Sequence, residues 1–293
     1  MIIVTGATGQ LGRAIVEKLI ERVSPSRVGA SVRDPEKAAD LAAQGVRVRR
    51  GDFTDEGSLR DAFEGATQIL MVSSNAKATG GDPLAQHRSA IAAASAVGAK
   101  RIVYTSHMAA SDTSAFPPMH DHHATEVMLR QSGLAWTALR NGFYATSGIA
   151  LMGNVRETGL IEAPADGPVS WTAHADLAEA AAIILEKEGC YDGPTPPLTG
   201  SQSLGLGDLA TLASELLNRP IRRETIEAED LRARMTARGA PSSIVDISLG
   251  LYAASRRGEF AAVDPTLEQL LGHRTVSMRE LIAEKLGLVE TSR

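Results

Sequence analysis

Residues 1–12, Met1-Ile2-Ile3-Val4-Thr5-Gly6-Ala7-Thr8-Gly9-Gln10-Leu11-Gly12, read as a buried strand running into a glycine turn and then a helix. Ile2, Ile3 and Val4 form the short apolar run of a parallel strand covered on both faces. Leu11, Ala14, Ile15, Leu19 and Ile20 then take up helical spacing. Gly6 permits the sharp turn, Gly9 lets a phosphate approach the backbone without meeting a Cβ, and Gly12 lets the helix pack close to the strand. The helix start presents unpaired N–H groups to an anion. The stretch therefore reads as a dinucleotide pyrophosphate site. A glycine triplet spaced GxxGxxG is weak evidence alone, but this one lies between a strand and a helix, and a second strand ends about 20 residues on, where a ribose-reading residue belongs.

The same rhythm continues outward. Strands are expected at 28–32, 46–50, 68–72, 101–105 and 136–139. Helices are expected at 35–43, near 59–63, over the alanine-rich 84–97, and ending near Gln131-Ser132-Gly133. Such alternation implies an α/β chain built on a doubly wound parallel sheet. Beyond Arg140 the rhythm breaks at Gly159, Pro164, Gly167-Pro168 and 193–197. A helix over 176–186, with Ala178, Ala181, Ala182 and Leu185 on one face and Asp176 as its cap, is expected to return to the sheet. Helical patterns at 206–217, 228–238 and 278–286 build a smaller, mostly helical C-terminal lobe. The expected division is a nucleotide-binding domain over 1–145 and a substrate-covering lobe over 146–293.

With 293 residues and a hydrophobic fraction of 43%, the chain can bury a sizeable core. A formal charge of −5 supplies no basic field for a nucleic-acid backbone, so Arg47-Val48-Arg49-Arg50 reads as solvated strand flanks. Cys190 is the single cysteine, which excludes an intramolecular disulfide or thiolate metal cluster and suits a reducing compartment. Neither a signal core nor an uninterrupted apolar stretch of roughly 18 residues is present. The expectation is a soluble, cytoplasmic protein, monomeric or homodimeric, with a small-molecule substrate and no nucleic-acid or membrane partner.

In a doubly wound sheet, ligands lie beyond the carboxyl ends of the strands. After the second strand comes Arg33, which can pair with a 2′-phosphate and points to NADPH, while Asp34 leaves NADH open. Ser73-Ser74-Asn75 and Thr105-Ser106-His107 offer small hydroxyl and amide groups for ribose and nicotinamide. Asn141, in Arg140-Asn141-Gly142-Phe143-Tyr144, can orient a carbonyl or the nicotinamide carboxamide, and Gly142 permits close backbone approach; a plain turn is the alternative. His107 and His122 are candidates for a proton donor or a substrate contact. Tyr144 and Trp171 could flank a flat substrate, with a core role open for Trp171. The run His120-Asp121-His122-His123 has metal-ligating types, but it precedes a helical pattern and reads as a wet helix start, so no metal is expected.

One absence is informative. A tyrosine four residues before a lysine, which would exchange a proton with a substrate alcohol, does not occur. Tyr104, Tyr144, Tyr191 and Tyr252 are followed at that spacing by Met108, Gly148, Thr195 and Arg256, and no lysine lies between Lys100 and Lys187. Hydride transfer to an acceptor whose reduced form is stabilised by delocalisation, such as a quinone or cationic dye, needs no such relay.

GATGQLG at 6–12, VRDPEKA at 32–38, QHRSAI at 86–91, GAKRIVYTS at 98–106, HATE at 123–126 and LRNGFY at 139–144 together resemble the NmrA-like atypical short-chain dehydrogenases. Within that group they are most similar to the second type of bacterial NAD(P)H:quinone oxidoreductase and to triphenylmethane reductase. The resemblance implies a Rossmann fold and an NADPH-dependent reductase. It places Gly6, Thr8, Gly9, Gln10, Leu11 and Arg33 on the cofactor and Asn141 beside the nicotinamide. Other members look like regulators that sense NADP(H) without turning it over, which is the alternative reading. The loop 75–83 and the approach to HATE depart from the pattern and are expected to border the substrate opening.

Overall fold

Strand β1 (Ile2–Thr5) is buried along its whole length and pairs in parallel with a strand on either side. In the computed structural model, which describes residues 1–288, it is the organising strand of a seven-stranded parallel sheet. The other strands are β2 (Val28–Val32), β3 (Arg47–Arg50), β4 (Gln68–Met71), β5 (Arg101–His107), β6 (Ala135–Asn141) and, later in the chain, β10 (Gly193–Pro194). Their order is β10-β6-β5-β4-β1-β2-β3. The helices of the alternation are α1 (Gln10–Ile20), α2 (Ala39–Ala43), α3 (Glu56–Phe63), α4 (Pro83–Ala96), α5 (Pro118–Gln131) and α8 (His174–Glu186).

One compact unit comprises Met1–Ala110, Asp121–Asn141 and His174–Pro196. A buried cluster joins Ile3, Ile69, Met71, Ile102 and Tyr104 of the sheet to Leu59 and Phe63 of α3, Ile91 and Ala94 of α4, and Leu129 of α5. Each such Leu, Ile or Phe contributes about 1.5–3 kcal/mol on burial. Elsewhere in the unit α1 packs on α8. Ala178, Ala180, Ala181 and Ala182 of α8 are buried, and small side chains let two helices approach closely. Arg22 Nη1 ties the pair at 3.0 Å from Glu186 Oε2. Asp176 falls inside the first turn of α8, which begins two residues earlier, so it is buried rather than a cap.

β3 is an edge strand, and arginine there discourages further pairing. Its arginines are more engaged than solvated flanks: Arg47 donates to the Ala62 carbonyl at 3.0 Å, Arg49 pairs with Glu64 at 2.7 Å and Arg50 with Asp55 at 2.8 Å.

The second unit comprises Ser111–His120, Gly142–Ala173 and Pro197–Arg293. It holds β7 (Phe143–Tyr144), α6 (Ala145–Leu151), α7 (Val155–Thr158), β8 (Leu160–Ala163), β9 (Trp171–Thr172), α9 (Leu206–Leu217), β11 (Arg222–Thr225), α10 (Ala228–Ala237), α11 (Ser242–Arg256), α12 (Thr266–Leu271) and α13 (Met278–Lys285). Two short parallel pairs, β7 with β9 and β8 with β11, join these helices. Phe143 centres an aromatic core, its ring 5.0 Å from Phe260, 5.5 Å from Trp171 and 5.7 Å from Phe116. Trp171 is thus a core residue, and its indole N–H donates to the Leu204 carbonyl at 2.9 Å.

Helix α11 escapes the sequence reading because Gly250 interrupts it, a substitution that costs about 1 kcal/mol relative to alanine. In the fold a Cβ there would lie 2.7 Å from the Ala115 oxygen, so the glycine admits a close chain crossing.

Candidate active site

The sheet order places β1 between β2 and β4, so successive connections from β1 and β3 leave in opposite directions. That reversal is the switch point where open α/β sheets bind ligands, outside the strands' carboxyl ends. Gly6, Arg33, Ser73–Asn75, Thr105–His107 and Arg140–Asn141 follow or end the strands at this one edge. Side-chain hydroxyls lash the edge together. Thr5 Oγ1 accepts from the Val72 N–H at 2.9 Å, Thr105 Oγ1 from the Ser73 N–H at 2.8 Å, and Thr195 Oγ1 from the Arg140 N–H at 3.0 Å.

Each glycine of the turn has a separate cause. Gly6 adopts φ +62°, a left-handed conformation that disfavours other residues. A Cβ on Gly12 would overlap the Gly6 carbonyl oxygen, and one on Gly9 would stand 3.3 Å from that same atom. The cap of α1 is Gly9, which has no side chain to accept from the first-turn amides, and no acidic residue lies in that turn. The helix's first bond runs from the Arg13 N–H to the Gly9 oxygen at 2.9 Å. The amides of Gln10, Leu11 and Gly12 are therefore offered outward, and Thr8, Gly9 and Gln10 are exposed. Leu11 instead buries its side chain in the core.

Arg33 is exposed and, among the described residues, forms no ion pair. Its neighbour Asp34 is occupied: it caps the following turn through the Glu36 N–H at 3.2 Å and stands 3.6 Å from Lys37 Nζ. The acidic residue that could have read ribose hydroxyls is spent on local structure, while the cation beside it faces solvent.

At the ends of β5 and β6 several polar groups are turned to support. Ser106 donates to Glu126 Oε1 at 2.7 Å, and Arg140 reaches the same carboxylate through Nη2 at 2.8 Å and Nε at 3.2 Å. Thr105, Ser106 and Arg140, expected at the cofactor, thus direct their side chains at the scaffold. Gly142 is likewise a packing residue, since a Cβ would overlap Thr172 Oγ1 and press on the Leu198 and Ser170 carbonyls. Asn141 differs. It is 2% exposed, and its Oδ1 is buried with no hydrogen-bond partner among the described residues. A buried acceptor left unmade costs about 1–3 kcal/mol.

His107 ends β5 in register with Asn141. Its Nδ1 accepts from the Ala109 N–H at 3.1 Å, which in a neutral ring puts the proton on Nε2. Burial, with the His122 ring 6.0 Å away, pushes His107 well below the usual imidazole range. His122 Nδ1 shares a hydrogen bond of 2.9 Å with the Tyr104 hydroxyl, and burial lowers it to about 4.

Helix α5 begins at Pro118, so the histidine run occupies its first two turns rather than preceding it, and within the run His122 turns inward to Tyr104. Residues two apart on a helix point roughly 200° away from each other, which separates His120 from His122. His120 is exposed and bonds the Ser114 carbonyl at 2.8 Å. Among the described residues no three His, Cys, Asp or Glu side chains gather as metal ligands. Tyr144 lies in β7 opposite Thr172, half-buried. Exposed Cys190 has its thiol pushed up, chiefly by desolvation.

Sequence reasoning passed over Gln86, His87, Thr125 and Glu126, although two of the quoted motifs contain them. Nothing in their spacing signals that α4 and α5 turn them toward the strand ends. Among the described residues no helix is long and apolar enough to cross a membrane.

Residues 6–188 match the model of the NAD(P)H-binding family. Quinone oxidoreductase 2 of Escherichia coli (strain K12) is 35% identical over 284 residues, covering 97% of this chain and 98% of that protein. The structure of the NADPH-dependent quinone oxidoreductase of Escherichia coli complexed with NADPH superposes with a TM-score of 0.90 at 34% identity, over 98% of this chain and 100% of that one. Citrobacter sp. triphenylmethane reductase complexed with NADP(H) gives 0.87 at 32% identity, covering 97% and 99%. The NAD(P)H azoreductase of Xenophilus azovorans is 30% identical over 273 residues, 93% of each chain. With its nucleotide-type turn, its Rossmann sheet and these relatives, the chain belongs to the NmrA-like NAD(P)H-binding family, as a quinone reductase-like oxidoreductase.

Proposed function

We propose that this chain uses NADPH to reduce a flat, conjugated acceptor of the quinone class, without a tyrosine–lysine relay. The observation that carries the reading is the pairing of an outward, uncapped glycine turn with the buried, unpartnered Asn141 Oδ1 at the same sheet edge. NADPH supplies a hydride from C4 of its nicotinamide when bound. The glycine turn and the amides of Gln10, Leu11 and Gly12 hold the pyrophosphate, with Thr8 beside them. Arg33 pairs with the 2′-phosphate, because its acidic neighbour is already committed. The backbone of Ser73, Ser74 and Asn75 lines the ribose and nicotinamide side. Asn141 Oδ1 accepts from the carboxamide N–H and sets the ring's face.

His107, a neutral ring with its proton on Nε2, does not readily give that proton up and is not the acid of the reaction. Water supplies the proton that accompanies the hydride. Thr105, Ser106 and Arg140 act on the site through the scaffold they brace.

Purified protein mixed with NADPH and a simple benzoquinone, with matched NADH and protein-free controls, tests this. Protein-dependent loss of the reduced-nicotinamide absorbance, faster with NADPH, is expected. Calorimetric NADP⁺ binding with no turnover of any quinone would replace it with the regulatory reading.

A further inference from the structure

His87 is 1% exposed on α4, and its hydrogen-bond directions are fully determined. The Ser74 N–H donates to its Nε2 at 2.9 Å, so Nε2 carries no proton. Thr125 Oγ1 spends its single hydrogen on the Asp121 carbonyl at 2.7 Å and must therefore accept from His87 Nδ1, 2.8 Å away. The imidazole is a neutral two-ended connector from α5 to the backbone after β4. Its neighbour Gln86 holds the other handle of the same residue, with Oε1 accepting from the Ser74 hydroxyl. That hydroxyl in turn accepts from the Ala76 N–H at 3.0 Å. Lys77 adds a third tether, an ion pair of 2.8 Å to Asp121. A loop end would ordinarily be among the more mobile parts of a fold.

We propose that Gln86 and His87 are positioning residues for the dinucleotide, gripping Ser74 by its hydroxyl and its amide so that the backbone of Ser73–Asn75 is already in place when the cofactor arrives. This rests on the cofactor reading above. Pre-organisation of this kind raises affinity by removing an ordering cost at binding. The groups around the imidazole leave it neutral: the ring centroids of Phe53 and Tyr104 lie 6.5 and 5.3 Å from its own, the carboxylate acting on it is that of Asp82, and the other titratable neighbour is His122. Burial lowers His87 to about 4, with Asp82 opposing.

Two substitutions separate the ends of the connector. His87→Gln places an acceptor near the Nε2 position and keeps the Ser74 bond. His87→Asn places its amide near Nδ1, keeps the Thr125 bond and leaves the Ser74 amide without an acceptor. Each removes one hydrogen bond, and because His87→Asn, one methylene shorter, also removes more bulk, urea denaturation of both separates lost packing from a lost grip on Ser74. The proposal predicts that His87→Asn weakens calorimetric NADP⁺ binding about fivefold or more, one hydrogen bond's worth, raising the NADPH KM with kcat within about twofold. His87→Gln stays within about twofold of wild type in binding. Hydrogen exchange at the Ser74 amide, read without any cofactor, is fast in His87→Asn and slow in His87→Gln. Gln86→Leu, at a half-buried position, weakens binding in the same direction and serves if a His87 variant does not fold. Equal binding by all variants, or equal losses in the two His87 variants, overturns the proposal. Failure of the wild-type chain to bind NADP⁺ overturns the cofactor reading and this role with it, while slow wild-type Ser74 exchange would still show that the grip exists.

Discussion

Arg140 of β6 holds Glu126 of α5 through two nitrogens, and the two partners are unequally buried: the carboxylate side chain is 3% exposed and the guanidinium 31%. That asymmetry decides which deletion is worse. Arg140→Met strands a buried carboxylate with only Ser106 left to it and should destabilise the protein by about 3 kcal/mol. Glu126→Gln leaves a guanidinium that can turn to water and should cost about 1 kcal/mol. Urea denaturation of both variants checks the order, and the reverse ranking would show that the pair is not governed by Glu126's burial.

The glycine turn predicts a second ranking. Gly12→Ala forces a Cβ onto the Gly6 oxygen, so backbone must move, whereas Gly6→Ala meets only the Val72 side chain at 3.5 Å and pays chiefly for its φ of +62°. The latter should lose about 1–2 kcal/mol. Gly12→Ala should lose more and should also abolish NADP⁺ binding. Thermal melts and calorimetry read both; a harmless Gly12→Ala would mean that helix and turn are not locked together.

Cofactor choice should follow Arg33. Arg33→Ala is expected to raise the NADPH KM by about ten- to a hundredfold, in line with a lost charge-assisted bond, and to leave the NADH KM within about twofold. Asp34→Asn, which keeps a capping oxygen, should change neither. Equal weakening of both cofactors by Arg33→Ala would remove the 2′-phosphate role.

Asn141→Ala should lower kcat about tenfold, equivalent to about 1.4 kcal/mol of transition-state positioning, with NADP⁺ affinity changed less. Single-turnover rates and calorimetry distinguish the two, and an unchanged rate would take Asn141 out of the site.

Stability should fall in acid before the carboxylates titrate. His87 and His122 are lowered to about 4 and His107 well below its ordinary value, each mainly by burial. Above about pH 7.5, a unit over the ordinary histidine value of about 6.5, these rings are neutral in both folded and unfolded chains and add no pH dependence. As pH falls from there toward 4 the unfolded chain takes up protons first, so stability is lost across that window, by up to about 1.4 kcal/mol per pH unit for each ring. Urea midpoints between pH 4 and 7 would show this, and the slope should shrink in His122→Gln. A flat profile would mean that the rings are already hydrated in the fold.

The strand, glycine turn and helix over residues 1–20, and the alternation that follows, were legible in the sequence because each depends on local causes: a period-independent apolar run, a residue with no Cβ, and a helical spacing. These determine a parallel nucleotide-binding sheet. The tertiary structure alone decided what the polar residues at the strand ends do. Thr105, Ser106 and Arg140 look like ligand-binding groups by position, yet their partners Ser73 and Glu126 come from other elements. His122 looked solvated until α5 pressed it against Tyr104, and His87 acquired its two directed bonds only when α4, α5 and the end of β4 met. Backbone conformation follows from neighbours along the chain, whereas a side chain's protonation, partner and role depend on atoms that are distant in sequence and become neighbours only on folding.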